Sequence, residues 1–242
     1  MITSVKQAIK LAARSVGVDI IRTNPTSTVA HRRQTMMTHH GIEVALDVGA
    51  NTGGYASELR EAGYRGEILS FEPLSEAYKQ LEKNASSDPK WRVFHNALGA
   101  YNGVSEINIA GNSWSSSLLP MLDTHLRNEP RSQYQSTEQV TVRTLDSALD
   151  GIVLNTSRVL LKIDTQGYEH HVLEGAKSLL RQVLLIECEL SMEPLYEGQY
   201  LFQEMVNLLN EAGFRPVHFN PVFSDLRTGY CLQVDGIFTR SV

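Results

Sequence analysis

The chain has 242 residues, 42% of them hydrophobic, and a net charge of −5 at pH 7. That length suits one substantial core and excludes two full domains. The acidic balance, with no Lys/Arg run interleaved with aromatics, excludes the electrostatic footprint of a nucleic-acid binder.

Residues 1–40 stand apart, because Lys6, Lys10, Arg14, Arg22, Arg32 and Arg33 are set against Asp19 alone. Over 3–21, Val5, Ile9, Ala12, Ala13, Val16 and Ile20 share one helical face. Such a helix is expected to pack on its own domain, on a second copy in a homo-oligomer, or peripherally on a membrane surface. Residues 23–40, with Pro25 and many Ser/Thr, read as a linker or a pocket-covering segment. The first 20 residues lack a secretory apolar core and the chain has no apolar run of 18 residues, so a soluble cytoplasmic protein is expected.

From residue 41 to 242 a single domain is expected. Strand 42–48, helix 53–63, strand 66–71, helix 74–84 and strand 91–95 alternate in the βαβ pattern of a doubly wound α/β sheet. The first strand runs into a glycine-punctuated turn, VALDVGANTGG over 44–54. Gly49 and Gly53 let backbone approach a ligand, and Tyr55 opens the following helix. Asp47, two residues before the first glycine, suits an ammonium better than a pyrophosphate, which points to S-adenosylmethionine. The second strand ends in FEP at 71–73, where Glu72 is placed to accept both ribose hydroxyls and Pro73 stiffens the turn. A nicotinamide-binding oxidoreductase is the rival, but its middle glycine is Asn51 here and an acid precedes the loop.

Strands 104–110 and 139–143 flank a Ser/Asn-rich insertion, 111–137, expected on the substrate side with Trp114, Ser116 and Tyr134. The sheet resumes with strand 158–163, helix 168–180, strand 182–189, helix 201–212, strand 214–219 and strand 230–238. Asp164 closes the fourth strand, where ligands of open α/β sheets collect. Glu169 follows near a helix N-terminus, for capping or for site chemistry. Cys188 and Cys231 lie in apolar strand runs and are expected reduced and inert.

Taken together, DVGANTG (47–53), FEP (71–73), NALG (96–99), TLD (144–146), KIDTQGYE (162–169), VLEGA (172–176) and DGIF (235–238) resemble the FkbM family of S-adenosylmethionine-dependent methyltransferases. The resemblance spans about 43–240. It implies a Rossmann-like seven-stranded methyltransferase sheet with helices on both faces, its last strand antiparallel beside the fifth. Cys188 and Cys231 would then lie on neighbouring strands. It also implies O-methylation of a sugar, glycolipid or glycosylated natural product. Gln166 departs from the family's usual Glu.

The cofactor-binding residues expected on this reading are Asp47, Gly49, Ala50, Asn51, Thr52, Gly53, Tyr55, Glu72, Pro73, Asn96, Ala97 and Asp164. Trp114, Ser116 and Glu169 are expected to meet the acceptor. Deprotonating an alcohol needs one base beside the methyl, and Asp164 is the first choice, ahead of His95 and Glu187, with His170 and His171 read as helix surface. Asp164 and Glu187 on adjacent strands could share a hard cation, but two acids are too few and no metal is expected. A non-catalytic cofactor- or partner-binding module is the alternative from another class.

Overall fold

The computed structural model describes residues 2–20, 24, 27–150, 152 and 158–240. Residues 21–23 and 25–26 of the expected helix end and linker lie outside them. The first helix, α1 (Ile2–Ser15), ends earlier than its apolar pattern, because the chain turns at Gly17, where the Val18 N–H bonds back to the Ala13 carbonyl. Val5, Ile9, Leu11 and Val16 are all exposed.

The expected linker is largely a second helix, α2 (Val29–His40). Thr28 caps it by accepting the His31 N–H, and Gly41 closes it in the left-handed region. Its inner side buries Arg33 and Met37 on the sheet's helical cover. Composition suggested a loop, yet the caps and two docking side chains decide the outcome.

Seven strands form the main sheet: β1 (Val44–Val48), β2 (Glu67–Phe71), β3 (Trp91–Phe94), β7 (Val159–Ile163), β8 (Val183–Ser191), β9 (Phe214–Ser224) and β10 (Cys231–Arg240). Their order is β3-β2-β1-β7-β8-β10-β9, parallel except that β10 runs antiparallel between β8 and β9. Cys188 and Cys231 are both free thiols on neighbouring strands, but Cys188 faces Gly236. Alternate positions serve opposite faces. Leu46, Val48, Leu161, Ile163 and Ile186 join one core cluster, and Ala45, Leu160, Leu185 and Ile237 join the other beneath Met37, α3 (Gly54–Glu61) and α4 (Ser75–Ala85).

The strands flanking the insertion, β5 (Gly103–Ala110) and β6 (Tyr134–Arg143), form a second sheet with β4 (Ala97–Leu98). Between them the chain is ordered: a bridge joins Asn108 and Ser117, and α5 (Asp123–Asn128) leads into a short turn at Pro130–Ser132. Beyond β6 a short helix, α6 (Leu145–Ala148), precedes β7, and a longer one, α8 (Phe202–Glu211), precedes β9. The helix expected over 168–180 stops early as α7 (Glu169–Glu174). At Gly175 a Cβ would sit 2.0 Å from the Gly99 carbonyl oxygen, so close backbone packing breaks the periodic pattern there.

Candidate functional site

Strand register builds the polar centre. Asp47 of β1, Lys162 of β7 and Glu187 of β8 lie abreast. Two residues nearer the strand ends, and so on the same face, lie Asp164 and Glu189, with Asp235 of β10 opposite Glu189. Glu187 is therefore level with Lys162, and Asp164 is level with Glu189 instead. Asp164 and Glu187 thus lie on adjacent strands but are not abreast.

In the inner row, Asp47 is sealed at 0% exposure. Its Oδ2 accepts the Ser70 hydroxyl (3.1 Å), whose oxygen accepts the Trp91 indole N–H (3.0 Å). Its Oδ1 faces Lys162 Nζ at 3.4 Å. The sequence reading set a ligand ammonium against Asp47, whereas here its sealed carboxylate faces the Lys162 ammonium. Burial pushes the Asp47 carboxyl up, against the pull of Lys162. Burial opposes charge on Lys162 too, but Asp164 at 3.3 Å and then Asp47 hold its ammonium firmly protonated.

Glu187 is committed elsewhere. Arg33 grips it through two hydrogen bonds of 2.6 and 2.8 Å, the Tyr55 hydroxyl donates to it at 2.8 Å, and Arg33 also pairs with Glu58. Both oxygens are spent, so Glu187 is poorly placed as a base.

The outer row is open. Asp164 uses Oδ2 on Lys162 and Oδ1 on the Gln166 amide (3.0 Å). The same amide donates to Glu189 Oε2 (2.7 Å), which also receives the Gln233 amide (3.0 Å). Gln166, in the left-handed region at φ 56°, accepts the Tyr196 hydroxyl in turn. Burial, then Asp164 and Asp235, push the Glu189 carboxyl well up. Burial, then Glu187 and Asp164, push Asp235 up to about 7.

Three clefts meet here, and Trp114 and Asp164 border all of them. The first, about 660 Å³, is walled by Phe71, Leu98, Ile107 and Leu118 and includes Gly49, Asn51, Glu72, Pro73, Asn96, Ala97 and Ser116. Glu72 accepts the Asn51 and Leu74 N–H groups (2.7 and 2.9 Å), and burial pushes it up to about 7 against those bonds. At Gly49 a Cβ would stand 1.8 Å from the Asp164 carbonyl oxygen, so the loop closes on β7 only as glycine. The second cleft holds Ala50, Thr52 and Tyr55 beside Lys162 and Glu189. The third contains Asn112, His125, Phe223 and Gln233.

An apolar slot with a buried carboxylate at its edge can take an adenosine, and the glycine-formed loop continues into the second cleft where an amino-acid tail would follow. S-adenosylmethionine fits these residues. Gly53 is the N-cap of α3 and borders none of the three clefts.

Like Gly53 and the sealed Asp47, two further expected site residues border none of the clefts. His95 is exposed, stacked on Tyr78 with Nε2 3.1 Å from the Pro73 carbonyl. Glu169 turns inward, accepting the Thr165 and Gly167 N–H groups (2.9 and 3.2 Å), and so braces the turn that presents Gln166. His170 stacks on Tyr200. Arg33, Lys162, Glu189, Gln233 and Asp235 were missed, although a period-two step from Asp164 and Glu187 would have found Lys162 and Glu189. Among the described residues no group of three or more His, Cys, Asp or Glu is arranged to hold a metal ion.

The methyltransferase FkbM domain model matches residues 47–216. The 2-O-methyltransferase NoeI of Sinorhizobium fredii is 27% identical over 192 residues, covering 76% of this chain and 79% of that protein. Among solved structures, methyltransferase FkbM from Methylobacillus flagellatus aligns with a TM-score of 0.47 at 11% identity, over 81% of this chain but only 43% of that one. Aeropyrum pernix fibrillarin, solved with S-adenosylmethionine, aligns with a TM-score of 0.47 at 10% identity, over 81% of this chain and 66% of that one.

Proposed function

The chain belongs to the FkbM methyltransferase family, and from that premise we propose that it methylates a hydroxyl of a sugar, glycolipid or glycosylated natural product. S-adenosylmethionine supplies a methyl group already activated on a positively charged sulfur. The chain's own residues bind, align and handle the proton. On this reading Glu72 takes the ribose hydroxyls, the loop at Gly49–Asn51 carries the rest of the donor, and Asp164 orients the reacting groups where the clefts meet. Lys162 places one ammonium between the Asp47 and Asp164 carboxylates, 3.4 and 3.3 Å from them.

The observation that supports this acceptor class is the lining of the third cleft. Exposed Trp114 and half-buried Phe223 offer aromatic faces, while Asn112, Ser115, Gln166 and Gln233 offer neutral hydrogen-bonding groups. That mixture suits a polyhydroxylated ring. The relative's name, a 2-O-methyltransferase, agrees with oxygen as the receiving atom. A membrane-borne acceptor would also give the exposed apolar face of α1 a role at the lipid surface.

The experiment incubates purified protein with methyl-labelled donor and a panel of glycosides. Label in an alkali-stable ether on a sugar ring is the expected outcome. Trp114→Ala should raise the acceptor KM about tenfold, as loss of about 1.4 kcal/mol of stacking would, with donor affinity intact. Label on nitrogen or carbon acceptors only, or an unchanged KM in the variant, would sink the reading.

A further inference from the structure

The geometry points to Glu189 as the proton acceptor for the incoming hydroxyl, held in place by the Gln166 and Gln233 amides. This inference rests on the hydroxyl-acceptor reading above. Three carboxylates compete for the task. Glu187 has both oxygens bound by Arg33 and Tyr55. Asp164 has one oxygen on the Lys162 ammonium and the other on Gln166. Glu189 has Oε2 clamped by two amides, while Oε1 has no hydrogen-bond partner among the described residues. Glu189 borders both the second and the third cleft, so this side chain lies where the donor's tail region and the acceptor region adjoin.

A base for this step needs one fixed oxygen for orientation and one free oxygen for the proton. The clamp provides the first, and it is itself supported: Tyr196 donates to Gln166, whose turn is braced by Glu169. As the oxygen–methyl bond forms and the methyl–sulfur bond breaks, the hydroxyl proton passes to Glu189 Oε1. The sulfur takes the bonding pair and becomes neutral, the carboxylate becomes a carboxylic acid, and the proton later leaves to solvent.

The surroundings tune the group in the required direction. Asp164 from β7, Asp235 from β10 and Glu169 from α7 raise its proton affinity, Lys162 opposes them, and burial exceeds each. From α5, His125 is held neutral, its value pushed down to about 4 by burial, so it places no cation against Glu189 at working pH.

The test compares Glu189→Gln, Glu189→Asp and the wild type. Glu189→Gln should lower kcat by about 100-fold or more, with the affinity for S-adenosylhomocysteine, measured by calorimetry, within about twofold. Glu189→Asp, which keeps a proton acceptor one methylene short, should recover part of the loss. The wild-type rate should rise with pH along a limb above the ordinary carboxylate range, and Glu189→Gln should lack that limb. Independently of any acceptor, the infrared band of protonated carboxyls at pH 6, to which Glu72 and Asp235 also contribute, should lose the intensity of one group in Glu189→Gln. A wild type that methylates hydroxyls while Glu189→Gln keeps its rate and pH limb would overturn the assignment alone. A wild type that methylates no hydroxyl would overturn the acceptor reading, and the infrared band, if unaltered by the substitution, would then overturn the assignment as well.

Discussion

Asp235 shows what the fold spends at single positions to assemble its polar edge. Its carboxyl, pushed up to about 7, prefers to be protonated in the folded chain, whereas in the unfolded chain it titrates near the ordinary value of about 4. A raised folded value gives stability that is complete below the unfolded value and is lost as pH rises through the folded one. Asp235→Asn removes that dependence. Its melting temperature relative to wild type should therefore climb between about pH 4 and about pH 7 and stay level above. Thermal melts across that range decide the matter, and a constant offset would refute it. His125 and His170, both pushed down to about 4 by burial, act in the opposite sense on the acid side, which is why the difference between variant and wild type is the quantity to measure.

At the scale of elements, α2 is held to the sheet by a buried ion pair. Arg33 and Glu187 are 7% and 5% exposed, and Tyr55 lies 4.6 Å beneath the guanidinium. Removing one partner strands a charge, so Arg33→Ala should destabilise the protein by about 3–5 kcal/mol in urea unfolding. The double variant Arg33→Met/Glu187→Gln should recover most of it, because no lone charge is left. A double variant as unstable as the single would show that α2 docks by other means. The same helix marks where sequence reading stopped. Segments with local signals were legible: the Gly49–Gly53 turn, Glu72 at a strand end, Asp164 before a tight turn, and the strand alternation itself. The meeting of Glu189 with Asp164 and Asp235 was not, because it depends on register across three strands. Arg33 was hidden for a related reason, since a basic residue in a Ser/Thr-rich stretch reads as solvated until its helix is seen packed on the sheet. The 168–180 helix was overextended because periodicity carries no information on the backbone contact at Gly175.

For the molecule as a whole, the exposed apolar stripe of α1 is a surface fitted to a lipid bilayer. The helix has no acidic residue in its first turn, and Lys6, Lys10 and Arg14 run beside Val5, Ile9 and Val16, a charge pattern complementary to anionic lipid. The full chain should co-sediment with phosphatidylglycerol vesicles and not with phosphatidylcholine vesicles, and Val5→Asp with Ile9→Asp should abolish it. Sedimentation with neither, together with a dimer mass by light scattering, would assign the stripe to a second copy instead. No described helix is long and apolar enough to cross a membrane.

The placement of β1 has a consequence for how the protein is made. Val44 is in register with Glu67 on one side and with Val159 on the other. A nascent chain emerging from the ribosome completes the first pairing early, then carries β1 with a bare edge while the whole second sheet is synthesised. Asp47 lacks its lysine for that entire interval, since Lys162 arrives with the same late strand. Donor-binding competence is thus reached only after β7 has been made, and a truncated product ending before β7 exposes both an unpaired strand edge and an unneutralised carboxylate to the cell's quality-control machinery.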